Sequence, residues 1–178
     1  MGADESGKCT PYCGTLDGHN HTISGLVVER SDGAAGLLCG LQDASVVNLR
    51  FDSSCRVAGD TAGMLSAEAS KDTVIENVWN HGNVTGAHYA GGIVGVVAAS
   101  GTTAIKWSRN SGAVSCAQLL VHPDCSAGGI TNFGPEDSLM LAIEWCTNTG
   151  SINSEDSEGK VALGGIVGIA AGYSLKIA

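Results

Sequence analysis

A glycine-hinged apolar phrase is written nearly twice in this chain, as Gly91-Gly92-Ile93-Val94-Gly95 and as Gly164-Gly165-Ile166-Val167-Gly168. Weaker copies stand at Ala35–Leu38, Ala62–Leu65 and Gly128–Ile130. Taking Gly36, Gly63, Gly92, Gly129 and Gly165 as equivalent gives spacings of 27, 29, 37 and 36 residues. A second phrase follows in fixed order at Val74–Val84 (VIENVWNHGNV), Ala104–Val114 (AIKWSRNSGAV) and Ala142–Ile152 (AIEWCTNTGSI), with Val46–Val57 as a degenerate copy one residue longer. Within it Asn80, Asn110 and Asn148 coincide, and so do Gly82, Gly112 and Gly150. Two anchors recurring in one order define a structural repeat, and units of this length must stack to close a core.

The units read as short strands and turns. Ile75, Asn77 and Trp79 alternate with Glu76, Val78 and Asn80, a period near two, and no window carries a capped helical stripe. Asn-x-Gly then predicts a turn, with glycine accepting a positive φ. Stacked units of this kind form an all-β parallel solenoid of about five coils. Each coil rises about 4.8 Å, so equivalent residues form ladders along the axis. The asparagines at 80, 110 and 148 are expected to share amide hydrogen bonds between coils. In the Gly-Gly-Ile-Val phrase the isoleucine and valine face the lumen and the glycines sit where the coil bends.

Composition agrees with a thin, regular core. Glycine, 26 of 178 residues, is about twice its usual share, and charged residues at 15% are well below theirs. The net charge of −9 argues against nucleic acid as a partner, which needs a basic surface. The apolar phrases are half as long as a membrane crossing requires, so no membrane insertion is expected. Residues 1–14 lack the apolar centre of a secretion signal, which marks the chain as processed or excised from a longer one.

The residues Gly14–Leu26 (GTLDGHNHTISGL), Gly36–Leu49 (GLLCGLQDASVVNL) and the two repeated phrases resemble GLUG-type repeat proteins. Those are surface or secreted proteins whose architecture is similar to filamentous-haemagglutinin and pectate-lyase-like β-helices. The resemblance runs from Gly14 to Ala178 and implies a right-handed parallel β-helix. It leaves residues 1–13 as a cysteine-containing cap or linker ahead of a solenoid domain over 14–178. It implies a structural or adhesive role, as a surface coat, stalk or filament subunit, rather than an activity.

Seven cysteines, at 9, 13, 39, 55, 116, 125 and 146, show no zinc-ligand spacing. With two N-glycosylation triplets, at Asn20 and Asn83, they point to an extracellular or cell-surface location. Cys116 and Cys125 flank a loop containing Pro123 and are the favoured disulfide. Cys9 and Cys13 are candidates for pinning the N-terminal segment, and Cys39 reads as a buried hydrophobe or half of a disulfide.

No catalytic or cofactor site is expected. Asp17-Gly18-His19-Asn20-His21 places one carboxylate beside two imidazoles, which in a strand would point the same way, but the phrase reads more simply as the turn that opens a coil. Glycoside hydrolysis needs two converging carboxylates, and Asp43, Asp52, Asp60, Glu76 and Glu144 form no repeated cluster. Glu76 and Glu144 align with Lys106 as an outward charge row. Trp107 and Trp145 are equivalent and Trp79 is offset by two; a chain short of large side chains is expected to use them as core, the alternative being an exposed row that stacks on sugar rings. The final YSLKIA begins a further strand, whose open edge favours end-to-end pairing with other copies. Glycans or cell-surface proteins are the other partners in view, and a carbohydrate-binding or carbohydrate-cleaving β-helix is the alternative function.

Overall fold

A computed structural model describes residues 9–31, 33–98, 101–117, 124–134, 139–154, 160–170 and 174–177. Among them there is no helix, hence none long and apolar enough to cross a membrane. The strands form three parallel sheets, and the chain visits each sheet once per coil. The first sheet runs through Thr15–Asp17, Ser45–Phe51, Thr73–Asn80, Gly101–Lys106, Leu139–Glu144 and Ser174–Ile177. The second includes Arg56–Gly63, Asn83–Gly91, Asp124–Gly128 and Lys160–Gly164, and the third Leu38–Gln42, Ser66–Ser70, Val94–Val97, Thr131–Phe133 and Val167–Ala170. Five coils are complete and a sixth is begun by Ser174–Ile177. The fold is a parallel β-helix.

Its core is a set of vertical ladders. Leu16, Val46, Ile75, Ile105 and Ile143 lie in register along the first sheet, continued by Ile177, which is 56% exposed. Val28, Val57, Val84, Val114 and Ile152 do the same along the second. Leu41, Ala69, Val97 and Phe133 form the third wall, and all four are buried. β-Branched residues dominate because each strand is covered on its inner face and packs like on like above and below.

The glycine register differs by one residue from the spacing read off the sequence. Ala35 stands over Ala62, Gly63 over Gly91, Gly91 over Gly128 and Gly128 over Gly164. The first glycine of each Gly-Gly pair is therefore the equivalent of Gly63. In the first two pairs the second glycine is hemmed by the next coil. A Cβ on Gly92 would overlap the Gly129 carbonyl oxygen and lie 2.5 Å from Asn110 Cγ, and one on Gly129 would overlap the Gly165 carbonyl oxygen and lie 2.5 Å from Asn148 Cγ. One on Gly165 would meet nothing within 4 Å among the described residues. At Gly91-Gly92 and Gly128-Gly129 both positions exclude a Cβ, the first against its own turn (Val94 and Thr131 carbonyls) and the second against the next coil's carbonyl and amide.

That amide column lines the corner between the first and second sheets. Asn80 stands over Asn110 and Asn110 over Asn148. Asn80 Nδ2 donates to Asn110 Oδ1, and Asn110 Nδ2 to Asn148 Oδ1, both at 2.8 Å. Each amide also closes on its own turn, Asn80 Nδ2 donating to the Gly82 carbonyl at 2.9 Å while the Gly82 N–H donates to Asn80 Oδ1 at 2.7 Å. Gly82, Gly112 and Gly150 are not at positive φ, contrary to the turn expected from sequence. They are glycine because a Cβ on Gly112 would overlap the Gly82 carbonyl, and one on Gly150 the Gly112 carbonyl.

Candidate functional site

The outer corner of the first sheet carries the surface chemistry. Here the alternation of the strand is broken at one residue per coil. Asn48 (φ 57°), Asn77 (φ 55°), Trp107 (φ 45°) and Trp145 (φ 56°) all take left-handed backbone. The break reverses the phase: Ile75, Val78 and Asn80 point inward, while Glu76, Asn77 and Trp79 do not. In the early coils the turn suits asparagine, which tolerates this conformation. Asn77 Nδ2 donates to Asn48 Oδ1 at 2.8 Å and to Asn20 Oδ1 at 3.3 Å, and Asn48 Nδ2 to Asp17 Oδ1 at 3.1 Å.

In the fourth and fifth coils the same position is tryptophan. A bulky residue there costs about 1 kcal/mol of backbone strain, and the side chains remain about half to two thirds exposed. Trp107 is 52% and Trp145 67% exposed. The expectation that the tryptophans are core is therefore overturned, and the left-handed residue is the cause: it turns outward a position that unbroken alternation would have sent into the lumen.

Trp79 lies two residues beyond this column, also outside, and stands in register with Arg50 of the preceding coil and Arg109 of the following one. Their guanidinium carbons lie 4.4 and 5.2 Å from the indole centroid, giving an Arg-Trp-Arg stack. Among the described residues neither arginine pairs with a carboxylate; Arg50 Nη2 reaches only the Asn20 side-chain oxygen, at 3.5 Å. The nearby acids are engaged elsewhere. Asp52 accepts hydrogen bonds from the Ser54 amide and hydroxyl. Glu144 pairs with Lys106 at 3.3 Å and Lys176 at 3.2 Å. Hydrogen bonds from Lys176, then Lys106, hold its carboxyl below the usual 4.5. Glu76 stands in register with Lys106.

Asp17 ends a strand and Gly18–His21 turn the chain, with His19 and Asn20 both left-handed. The His19 N–H donates to Asp17 Oδ1 at 2.8 Å and the His21 N–H to the Gly18 carbonyl at 2.7 Å. The two imidazoles therefore do not share a strand face. Asn20 and Asn83 are exposed. The Asn83 side-chain oxygen accepts from the Ala113 N–H at 3.2 Å, a bond that does not use the nitrogen to which a glycan attaches.

Cys116 is bonded to Cys125; residues 118–123 of the loop between them, Pro123 included, lie outside the described residues. Cys9 is bonded to Cys39, not within its own segment, because Tyr12 pairs with Leu41 and lays residues 9–12 along the third sheet. Cys13 is exposed and free, Cys55 buried and free, and Cys146 half-buried and free. Burial pushes the Cys146 thiol up. A cleft of about 280 Å³ opens where the second sheet bulges between Gly86 and Tyr89, lined by His88, Tyr89, Asp124 and Ser126. The Ser126 hydroxyl is committed to Asn132 Oδ1 at 2.6 Å. No group of three or more potential metal-ligating side chains occurs among the described residues.

Among known proteins, halomucin of Haloquadratum walsbyi (strain DSM 16790 / HBSQ001) is 33% identical over 86 residues, which are 47% of this chain and 1% of halomucin. A solved structure, a putative immunoglobulin A1 protease from Bacteroides ovatus, superimposes with a TM-score of 0.60 at 18% identity, over 90% of this chain and 58% of that one. That likeness shows the fold alone. The chain spans less than two thirds of either protein. No family model matches it.

Proposed function

We propose that this chain is an extracellular, non-catalytic β-solenoid module with a structural or adhesive role, as part of a surface coat, stalk or filament. The observation that supports this most is the parallel stacking of five coils around a filled lumen, with the inner asparagines spent on a hydrogen-bonded ladder. Acidic side chains that a hydrolase would need to converge are separated. Lys106 stands between Glu76 and Glu144, Asp43 faces Lys71 at 3.8 Å, and Asp52 is bound to Ser54. Two disulfides, the similarity of one segment to halomucin and the GLUG-like phrases support the extracellular placement. Pairing of coil edges with further copies of the chain belongs to the same reading.

A second reading, a carbohydrate-binding module on the same scaffold, draws on the exposure of Trp107 and Trp145. Electron microscopy of the purified chain, alongside assays for reducing-sugar release and for peptide cleavage, tests the first. Stiff rods of coil width without turnover are expected. Sustained turnover of a polysaccharide or a protein substrate overturns the non-catalytic role.

A further inference from the structure

We propose that the outer corner bearing Trp79, Trp107, Trp145, Arg50 and Arg109 binds an anionic polysaccharide, with sugar faces against the exposed indoles and acid groups on the arginines. All three tryptophans of the chain lie on this one corner. Two occupy a backbone conformation that tryptophan tolerates poorly, where the preceding coils use asparagine. Folding does not account for that choice, since the side chains are largely exposed and their backbone is strained; a surface that meets a flat, partly apolar ligand does.

Charge selects the ligand class. The chain carries a net charge of −9, yet the two guanidiniums flanking Trp79 have no carboxylate partner among the described residues, while Glu144 is held by Lys106 and Lys176 and Asp52 by Ser54. Planar guanidinium forks match carboxylate or sulfate oxygens bidentately. Geometry sets the direction. Trp107 and Trp145 repeat along the axis at the coil rise of about 4.8 Å, close to the length of one pyranose in an extended chain. A polysaccharide lying along the axis therefore presents about one sugar per coil.

This deepens the adhesive reading by naming what is held, and the two fail separately: rods seen by microscopy are indifferent to the ligand. The test is tryptophan fluorescence and calorimetry of the intact chain with polygalacturonate, dextran sulfate and neutral dextran. Binding of polygalacturonate or dextran sulfate is expected, with a tryptophan spectral shift and weakening between about 0.05 and 0.5 M salt. Response to the first assigns carboxylate recognition and response to the second sulfate. Trp107→Asn with Trp145→Asn, which restores the residue of the earlier coils, should weaken binding at least about tenfold, as should Arg50→Gln with Arg109→Gln, both with unchanged circular dichroism. Binding to neither polyanion, equal binding of neutral dextran, or full affinity in the arginine double variant overturns the proposal.

Discussion

Single residues decide which way this surface faces. A left-handed residue at this corner of the second to fifth coils, at 48, 77, 107 and 145, reverses strand phase, and a period-two reading of Ile75–Asn80 has no means of detecting it. Asparagine at 48 and 77 is a hint, because its side chain suits left-handed turns; tryptophan at 107 and 145 conceals the same turn. The Glu-Lys row beside it was legible, since Glu76, Lys106 and Glu144 share the unbroken part of the strand. Glu144 titrates below its ordinary 4.5 because Lys176 and Lys106 hydrogen-bond its charged form. The pairing therefore adds stability above that ordinary value, and the contribution is lost as pH falls through the lower folded-state value. Replacing Lys176 by Met should move the Glu144 carboxyl back toward 4.5 in an NMR titration. An unmoved titration would mean that Lys176 does not govern it.

At the level of strands and turns, the repeat phrases carried the fold because every coil writes its inward residues in the same order. The aliphatic ladder from Leu16 to Ile177 needs nothing beyond that order. The exact glycine register was not legible. Gly91 and Gly92 look interchangeable in sequence, and only the strand register, which sets Gly91 over Gly63 and Gly92 against the Gly129 carbonyl and the Asn110 amide, tells them apart. The asparagine column makes a direct prediction. Asn110→Ala removes one of the two acceptors of Asn80 Nδ2, one of the two donors to Asn148 Oδ1 and the side-chain donor to the Gly112 carbonyl, all in or beside the core. A loss of about 3 kcal/mol in denaturant unfolding is expected. A change within the range of ordinary surface substitutions would show that the column contributes little.

For the molecule as a whole, contacts run mainly between successive coils, so stability is set by neighbours and is lowest where a neighbour is missing. Hydrogen exchange on this chain should find the slowest amides in Arg56–Gly63, Thr73–Asn80 and Asn83–Gly91, each flanked by a coil on both sides. Uniform protection from first coil to last would instead indicate a single cooperative unit. Cysteine pairing was only partly readable, for a related reason. Cys116 and Cys125 are close in sequence, whereas the partner of Cys9 depends on the segment 9–12 lying along the third sheet.

The inner asparagines also give the stack a sense of direction. Each amide nitrogen reaches forward to the oxygen of the next coil, from 80 to 110 and from 110 to 148, whereas outside Asn77 reaches backward to Asn48. The upper and lower rims of a turn are thus chemically unlike, one offering protons inside and the other receiving them. Inverting a turn would set like against like, so the amide column tolerates only one orientation of each turn.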